Sequence, residues 1–483
     1  MSLFGDRLRS LISDSGINIL RLSEITGIER TSIHKIMSDG RLPSLDAVYK
    51  LSDALQLPSE EHDSFLELYT ISKIGMQTYN QRKQIKALIE SIASLDLRQD
   101  KSTDRSAIRA NPYDFNKSHI TVKTSYETDA LISNIMLEAI NSKGKPGIDF
   151  FISEEYGYFY DELLSLCIGK SNVRIRNIAA FSKKQGNESL QNTNISALAR
   201  LMPLCLCSEI KYEPYYCYKN SPYLEITQVM PYFVLTSTGK VVLISKDFTQ
   251  ASMISDASLV EIYKDNFEQM IKNSKPLIKG FDKVLDYIDF CIDIVSKDSS
   301  SPFYSIVPAP PMEWYVSEQQ IDSLIKRLLP LRGKLIKLAT RFFSIFKNNR
   351  TDSIVICSTD GATKLIRDKV LSFTPNEIMN PIPAELIKEK YNEIHNEVSN
   401  DVFSLYFTNP SKFVIPDNTV FHIGRGSGVT FARKTHQEAF RAIHITEDSI
   451  RNAFIDFVES VSDIGLVYNK DASLEMLEAI INS

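Results

Sequence analysis

The sequence predicts a multidomain chain in which an all-α N-terminal domain precedes an α/β (mixed α+β) C-terminal region. Three observations carry this reading. Over residues 1–70 apolar side chains recur at helical spacing, with no alternating stretch. From about Thr121 short apolar segments alternate with amphipathic ones, as in layered sheet-and-helix folds. The length, 483 residues, exceeds what one core ordinarily serves. The expected divisions are 1–70, all helical; 71–119, a helix plus linker; 120–298, a first α/β domain; and 299–483, a second α/β domain and candidate dimerisation unit.

Composition narrows the function classes. Apolar residues are 43% and charged residues 24%, which is ordinary globular usage and excludes disorder for most of the chain. The 55 basic and 60 acidic side chains leave a formal charge of −5, too acidic for a protein that coats nucleic acid over its whole surface. Any nucleic-acid contact must be local. No run of about 18 apolar residues exists, so neither a transmembrane helix nor a membrane partner is expected. The start, MSLFGDRLRSLISDSG, carries charges where a secretory signal would be apolar. The six cysteines form no CxxC pair and fit reduced thiols in a cytoplasmic protein. Cys205-x-Cys207 lies in apolar surroundings without a His or third Cys nearby, so it reads as core rather than metal site.

The first seventy residues are the informative part. Leu3, Leu8, Leu11 and Ile12 mark a helix that Ser15-Gly16 stops. Asn18 caps a second short helix carrying Leu22 and Ile25, and Gly27 supplies a left-handed turn residue. Ile28 follows as a buried plug. A third helix runs from about Arg30 to Ser38 with Ile33, Ile36 and Met37 inward. After Arg41-Leu42-Pro43, Ser44 caps a fourth helix with Leu45, Val48, Leu51 and Leu55 on one face. A fifth, from about Glu60, carries Phe65, Leu66 and Leu68.

Five short helices with a glycine turn between the second and third resemble the helix-turn-helix domain of the XRE (Cro/repressor-type) family of transcriptional regulators. The residues that carry the match are Leu22, Ser23, Ile25, Gly27, Ile28, Ser32, Ile33, Ile36, Pro43-Ser44-Leu45 and Leu51, spaced without a gap. The resemblance implies that the third helix enters the major groove of double-stranded DNA. Arg30 and Thr31 would then stand at its reading end, with His34 and Lys35 one turn on. Ser32, Lys35, Ser38 and Arg41 are better placed for phosphates, which position a domain without reading sequence. Residues 1–70 hold seven basic and eleven acidic side chains. That balance implies weak binding to arbitrary DNA and a homodimer for useful affinity.

Residues 71–96 contain the apolar stripe Ile85, Leu88, Ile89, Ile92, a packing or dimer surface, on a helix that also carries Arg82, Lys83 and Lys86. Leu97–His119 reads as a linker, and no repeat of 30–50 residues is visible. Strands are expected at Ile148–Ile152, Val173–Ile178 and Ser353–Ser358, with a hairpin formed by Tyr232–Thr236 and Lys240–Ser245. Helices are expected at Asp129–Ala139, Tyr160–Ile168, Ser258–Lys272, Phe281–Val295 and Ser317–Phe346, the last interrupted at Pro330. Ser296–Pro302 looks like a boundary, Val402–Phe431 is strand-rich, and a helix pair follows from Ser449. The hairpin with its following acidic helix is loosely similar to phospholipase D-like folds used as effector domains in some sugar-sensing regulators. That fold's catalytic His-x-Lys, followed four residues later by Asp, is absent, which implies a ligand-binding relic.

Chemistry-bearing motifs are sparse. Two loops could hold an anion. Ser358–Lys364 joins a strand to a helix and reads as a capped turn, with a helix N-terminal anion site as the rival. His422–Gly428 reads as a hairpin loop, or as a phosphate cradle to which Arg425 adds charge. Tyrosines cluster at 156, 158 and 160 and at 212, 215, 216, 218 and 223. Alternation puts Tyr212, Tyr216 and Tyr218 on one strand face, as sheet packing or as a ligand pocket. Glu154, Glu155 and Glu213 lie near them without an evident catalytic pairing. No nucleophile elbow or metal-ligand spacing occurs, so no enzyme activity, cofactor or metal is expected. The expectation is a DNA-binding regulator whose C-terminal region senses a small-molecule or peptide effector, dimerises, or both. The alternative is a nucleotide- or phosphate-binding effector or enzyme with an autoregulatory helix-turn-helix.

Overall fold

The computed structural model describes residues 3–38, 40–93, 117–170, 172–183, 191–207, 209–219, 229–297, 301–371, 378–434 and 440–483. Most of the expected linker, Tyr223 and part of the 296–302 boundary lie outside the described residues. The chain divides into two units, Met1–Gln84 and Ile85–Ser483.

The described residues of the first unit form helices and no strand: α1 (Leu3–Ser15), α2 (Ile19–Thr26), α3 (Arg30–Met37), α4 (Leu45–Ala54), α5 (Ser59–Ile74) and the start of α6 (Met76–Ala93). Their core gathers Leu8, Leu22, Ile33, Val48, Leu51 and Phe65. Phe4, which the spacing argument passed over, is buried at its centre with its ring 4.6 Å from Phe65 and 5.5 Å from Tyr69. Three expected apolar positions differ. Leu3 is 49%, Ile25 51% and Leu45 39% exposed. In α2 the inward place falls to Thr26, four residues after Leu22, and its hydroxyl is satisfied by donating to the Leu22 carbonyl at 2.7 Å.

The second unit is built twice over. Its first half comprises β1 (His119–Val122), α7 (Ser125–Ile140), β2 (Gly147–Phe151), α8 (Gly157–Cys167), β3 (Arg174–Phe181), α9 (Gln191–Cys205), β4 (Lys211–Tyr218), β5 (Tyr232–Thr236), β6 (Val241–Ile244), β7 (Ala251–Ile254) and α10 (Ala257–Lys272). The short strand β8 (Lys275–Pro276) leads to the second half. There β9 (Lys279–Phe281), α11 (Val284–Lys297) and β10 (Phe303–Ile306) precede α12 (Glu318–Leu324) and α13 (Arg332–Asn348). Next come β11 (Ile354–Cys357), α14 (Thr359–Asp368), α15 (Ala384–Ser399) and β12 (Ser404–Phe407). The chain ends with β13 (Thr419–Gly424), β14 (Gly428–Lys434), β15 (Phe440–Ile445), α16 (Asp448–Ser460) and α17 (Lys470–Asn482).

Strand order in the first sheet is β4-β3-β2-β5-β6-β7-β1, with β8 added at the β4 edge; in the second it is β12-β11-β10-β13-β14-β15-β9. The directions agree as well. β2, β3 and β4 pair in parallel, as do β10, β11 and β12, and every other neighbouring pair is antiparallel. Matching order and direction over seven strands mark an internal duplication of His119–Lys272 and Lys279–Ser460. Each half is the mixed sheet with helical connections that the sequence led one to expect. One hydrophobic cluster joins the halves: Phe150 and Val234 of the first sheet and Phe421 and Phe431 of the second share it with Leu198 of α9 and Phe454 of α16. The stripe Ile85, Leu88, Ile89 and Ile92 is buried in the same cluster, which makes it an internal packing surface.

Candidate nucleic-acid interface

The two helices of the turn are locked by local chemistry. Asn18 accepts a hydrogen bond from the Arg21 N–H, closing the start of α2. Gly27 ends it at φ 68°, a left-handed value that costs a side chain with a Cβ about 1 kcal/mol or more. The Ser23 hydroxyl then donates to the Ile28 carbonyl at 2.6 Å, so the chain re-enters α3 at a defined angle. Glu29 stands at the start of α3 without a side-chain capping bond.

Ile33 and Ile36 bury one face of α3, and Arg30, Thr31, His34, Lys35 and Ser38 are exposed on the other, with Ser32 half-buried. Arg41, beyond the helix, is exposed too. All seven residues of the expected reading surface therefore lie on or next to one short helix. A residue that sequence reasoning missed helps to hold it. Arg9 of α1 donates to the Met37 carbonyl at 2.5 Å while pairing with Asp6 at 2.9 Å. This satisfies an otherwise open helix end and brings a cation to its negative pole.

Charge pairing separates the seven basic residues of positions 1–70. Arg7 pairs with Glu61 at 3.3 Å, Arg9 with Asp6, Arg21 with Glu24 at 3.1 Å and Lys50 with Asp46 at 2.7 Å. The remaining three are Arg30, Lys35 and Arg41, and among the described residues none of them has an ion-pair partner. The surface thus presents three uncommitted cations on and beside α3, while carboxylates neutralise the basic side chains elsewhere.

In the second unit Tyr212, Tyr216 and Tyr218 of β4 each have a distinct neighbour. Tyr212 is buried and donates to Asn177 Oδ1 at 2.7 Å. Tyr216 packs on Phe181, with ring centres 5.2 Å apart. Tyr218 donates to Glu447 Oε1 at 3.1 Å and so bridges the two halves of the duplication. A cavity of about 480 Å³ opens beside Tyr212, lined also by Lys211, Glu213, Tyr215, Asp282 and Arg441; Tyr216 and Tyr218 do not line it. Arg441 is itself engaged there, with Asp282 at 2.6 Å and the Cys205 carbonyl at 3.0 Å.

Both glycine loops have their charged and capping groups engaged within the second unit. Ser358 accepts from the Gly361 N–H at 2.9 Å, capping α14, and Lys364 pairs with Asp417 at 2.7 Å. Arg425 donates to the Tyr304 hydroxyl at 2.8 Å and pairs with Glu459. Glu154 lies 4.0 Å from Lys219, and Glu213 2.8 Å from Lys211. No group of three or more His, Cys, Asp or Glu with metal-binding geometry occurs among the described residues.

No protein-family profile matches the chain, and no curated protein is similar to it at a significant level. Among solved structures, 57% of the chain is similar to 94% of TrmBL2, an archaeal chromatin protein described as showing a novel mode of DNA binding, at 10% identity and a TM-score of 0.21. Another, polyphosphate kinase from Porphyromonas gingivalis, matches over 76% of this chain and 55% of its own, at 12% identity and a TM-score of 0.22. Phosphatidylserine synthase from Haemophilus influenzae Rd KW20 matches over 76% of this chain and 93% of its own, at 8% identity and a TM-score of 0.23. Scores this low carry no argument about mechanism. Two of the three are enzymes, and on that finding the expectation that this chain is not an enzyme is withdrawn. No described helix is long and apolar enough to cross a membrane.

Proposed function

We propose that this chain is a sequence-specific transcriptional regulator of the XRE (Cro/repressor-type) kind that binds double-stranded DNA through α3. In this reading the duplicated second unit pairs as a homodimer and responds to a small-molecule or peptide effector. The observation that carries the proposal is the segregation of charge: among the described residues Arg30, Lys35 and Arg41 are the basic side chains of positions 1–70 without an ion-pair partner, and they gather on and beside a polar helix held by its turn. Phosphates along a groove offer matching negative charge, and an Arg at a helix start can reach paired acceptors on guanine. A dimer would place two such helices on half-sites about 34–36 Å apart. An effector that favours one arrangement of the duplicated unit would change that spacing and so the affinity. The rival reading needs a phosphate in one of the glycine loops, whose cations are already committed to Asp417 and Glu459.

The test is a titration of the duplex upstream of the protein's own coding sequence at several salt concentrations. R30A/K35A should weaken binding at least tenfold and, through the lost Lys35 phosphate contact, reduce the magnitude of the log–log salt slope by about one. R21A removes a cation that Glu24 already neutralises and should change affinity less than twofold. Equal affinity and slope for R30A/K35A and the parent would overturn the reading. Sedimentation of the protein as a monomer, both free and on DNA, would remove the dimer.

A further inference from the structure

We infer that the exposed face of α13 and the loop before it dock on an anionic lipid surface. The inference rests on the second unit alone and does not depend on the DNA reading. Residues 326–350 contain eight basic side chains and no acidic one, in a chain whose net charge is −5. The fold sorts them, and Lys326 is half-buried and engaged. Arg332 pairs with Asp322 at 2.7 Å, Arg350 with Glu397 at 2.5 Å, and Lys347 lies 4.8 Å over the Tyr315 ring. Lys334, Lys337 and Arg341 recur at i, i+3 and i+7, which aligns them along one side of the helix, and all three are exposed. Arg327 is exposed just ahead of them. Among the described residues none of these four cations has an ion-pair partner. The opposite side of α13 is buried through Ile336 and Phe346, which holds the basic face outward.

The loop before the helix adds an apolar element. Leu328 is 99% and Leu331 69% exposed, and Leu331 takes a left-handed backbone conformation at φ 59°. Two exposed leucines beside four exposed cations suit one partner class better than the other polyanions. Duplex DNA would satisfy the cations and leave both leucines in water. A bilayer surface takes both: the cations meet anionic headgroups, and the leucines enter the boundary between headgroups and acyl chains. Each Lys or Arg near such a surface raises partitioning about fivefold. Docking of this kind needs no spanning helix. The expectation of no membrane partner rested on the absence of a span, and it did not weigh this run of basic residues.

The full-length protein should co-sediment with phosphatidylcholine vesicles containing phosphatidylglycerol and not with phosphatidylcholine alone. K334E/K337E/R341E should lower that binding at least about a hundredfold. L328N/L331N keeps every cation, places at 331 a residue that tolerates positive φ, and should lower it at least about tenfold. Both sets change surface positions, and unchanged thermal unfolding confirms that the fold is intact. Three results would each overturn the inference. The protein could ignore anionic vesicles. The leucine variant could bind them as the parent does. Or the charge variant could lose affinity for an unrelated duplex while the parent binds no vesicle, which would make the stripe a nucleic-acid face.

Discussion

His422 and His444 show how single side chains set the molecule's response to acid. They flank Thr430 across β13, β14 and β15 in one register row. Ser305 Oγ lies 2.9 Å from His422 Nδ1, and Thr430 Oγ1 lies 3.0 Å from His444 Nδ1. Burial pushes both imidazoles down to about 4. In the unfolded chain they protonate near 6.5, so between those values the unfolded state binds more protons and stability falls as pH falls. The loss is up to about 3 kcal/mol per histidine. Glu313 works in the opposite sense. Burial lifts its carboxyl to about 7, so its ionisation on unfolding favours the unfolded state as pH rises from about 4.5 to 7. Urea midpoints measured from pH 7 to pH 4 should fall for the parent, fall less for H422N/H444N, and fall more steeply for Glu313→Gln. In the sequence these histidines are scattered singly, 22 positions apart, and only strand register aligns them. The polar face of α3 is the reverse case: its residues are adjacent in sequence and were legible at once. Which cations would be neutralised was not, because Arg7 finds Glu61 across 54 positions.

At the scale of elements, helix periods and turn residues read well where an element meets one core and has one wet side. The hairpin of β5 and β6, the interruption near Pro330 and the final helix pair follow the pattern. Ile25 fails for a specific reason: α2 is two turns long, and a slight rotation gives the inward place to Thr26, whose hydroxyl bonds back to its own helix. Gly361 illustrates what spacing omits. The turn from Ser358 was legible as a cap, yet the glycine matters through a distant neighbour: a Cβ there would lie 2.0 Å from the Pro308 carbonyl oxygen. Gly361→Ala must therefore displace backbone, and denaturant unfolding should show a loss of about 1–3 kcal/mol. The basic run before and within α13 was visible as composition. That it forms a stripe, and that two leucines lead into it, required the helix to be placed.

For the whole molecule the governing fact is the duplication and the seam it creates. Asn194 of α9 donates to the Ser182 carbonyl and to Ser449 Oγ, both at 2.9 Å. Ser449 in turn donates to Glu447 Oε2 at 2.6 Å, and Tyr218 closes on the other oxygen of that carboxylate. Glu447 also caps α16 through the Ile450 N–H at 2.9 Å. With polar partners and a hydrophobic cluster shared between the halves, the two sheets should unfold together. Glu447→Ala removes a cap and leaves Tyr218 and Ser449 without an acceptor. It should lower stability by about 2–3 kcal/mol, and calorimetry should show one transition for the duplicated unit shifted downward rather than split. A split transition would mean that the halves are energetically separate.

Taken alone, the sequence determined that helices and mixed sheets combine in this chain and that the third helix has a polar face, because those follow from periods of two and 3.6 residues and from turn residues acting on near neighbours. Tertiary structure alone decided that the α/β region is one motif repeated, which charges pair, and that Tyr218 serves as a strut between the halves. Those properties depend on contacts across tens to hundreds of positions. Two copies can keep strand order and direction while their side chains diverge, because a sheet constrains alternation and burial at each position and leaves the identity of the residue open.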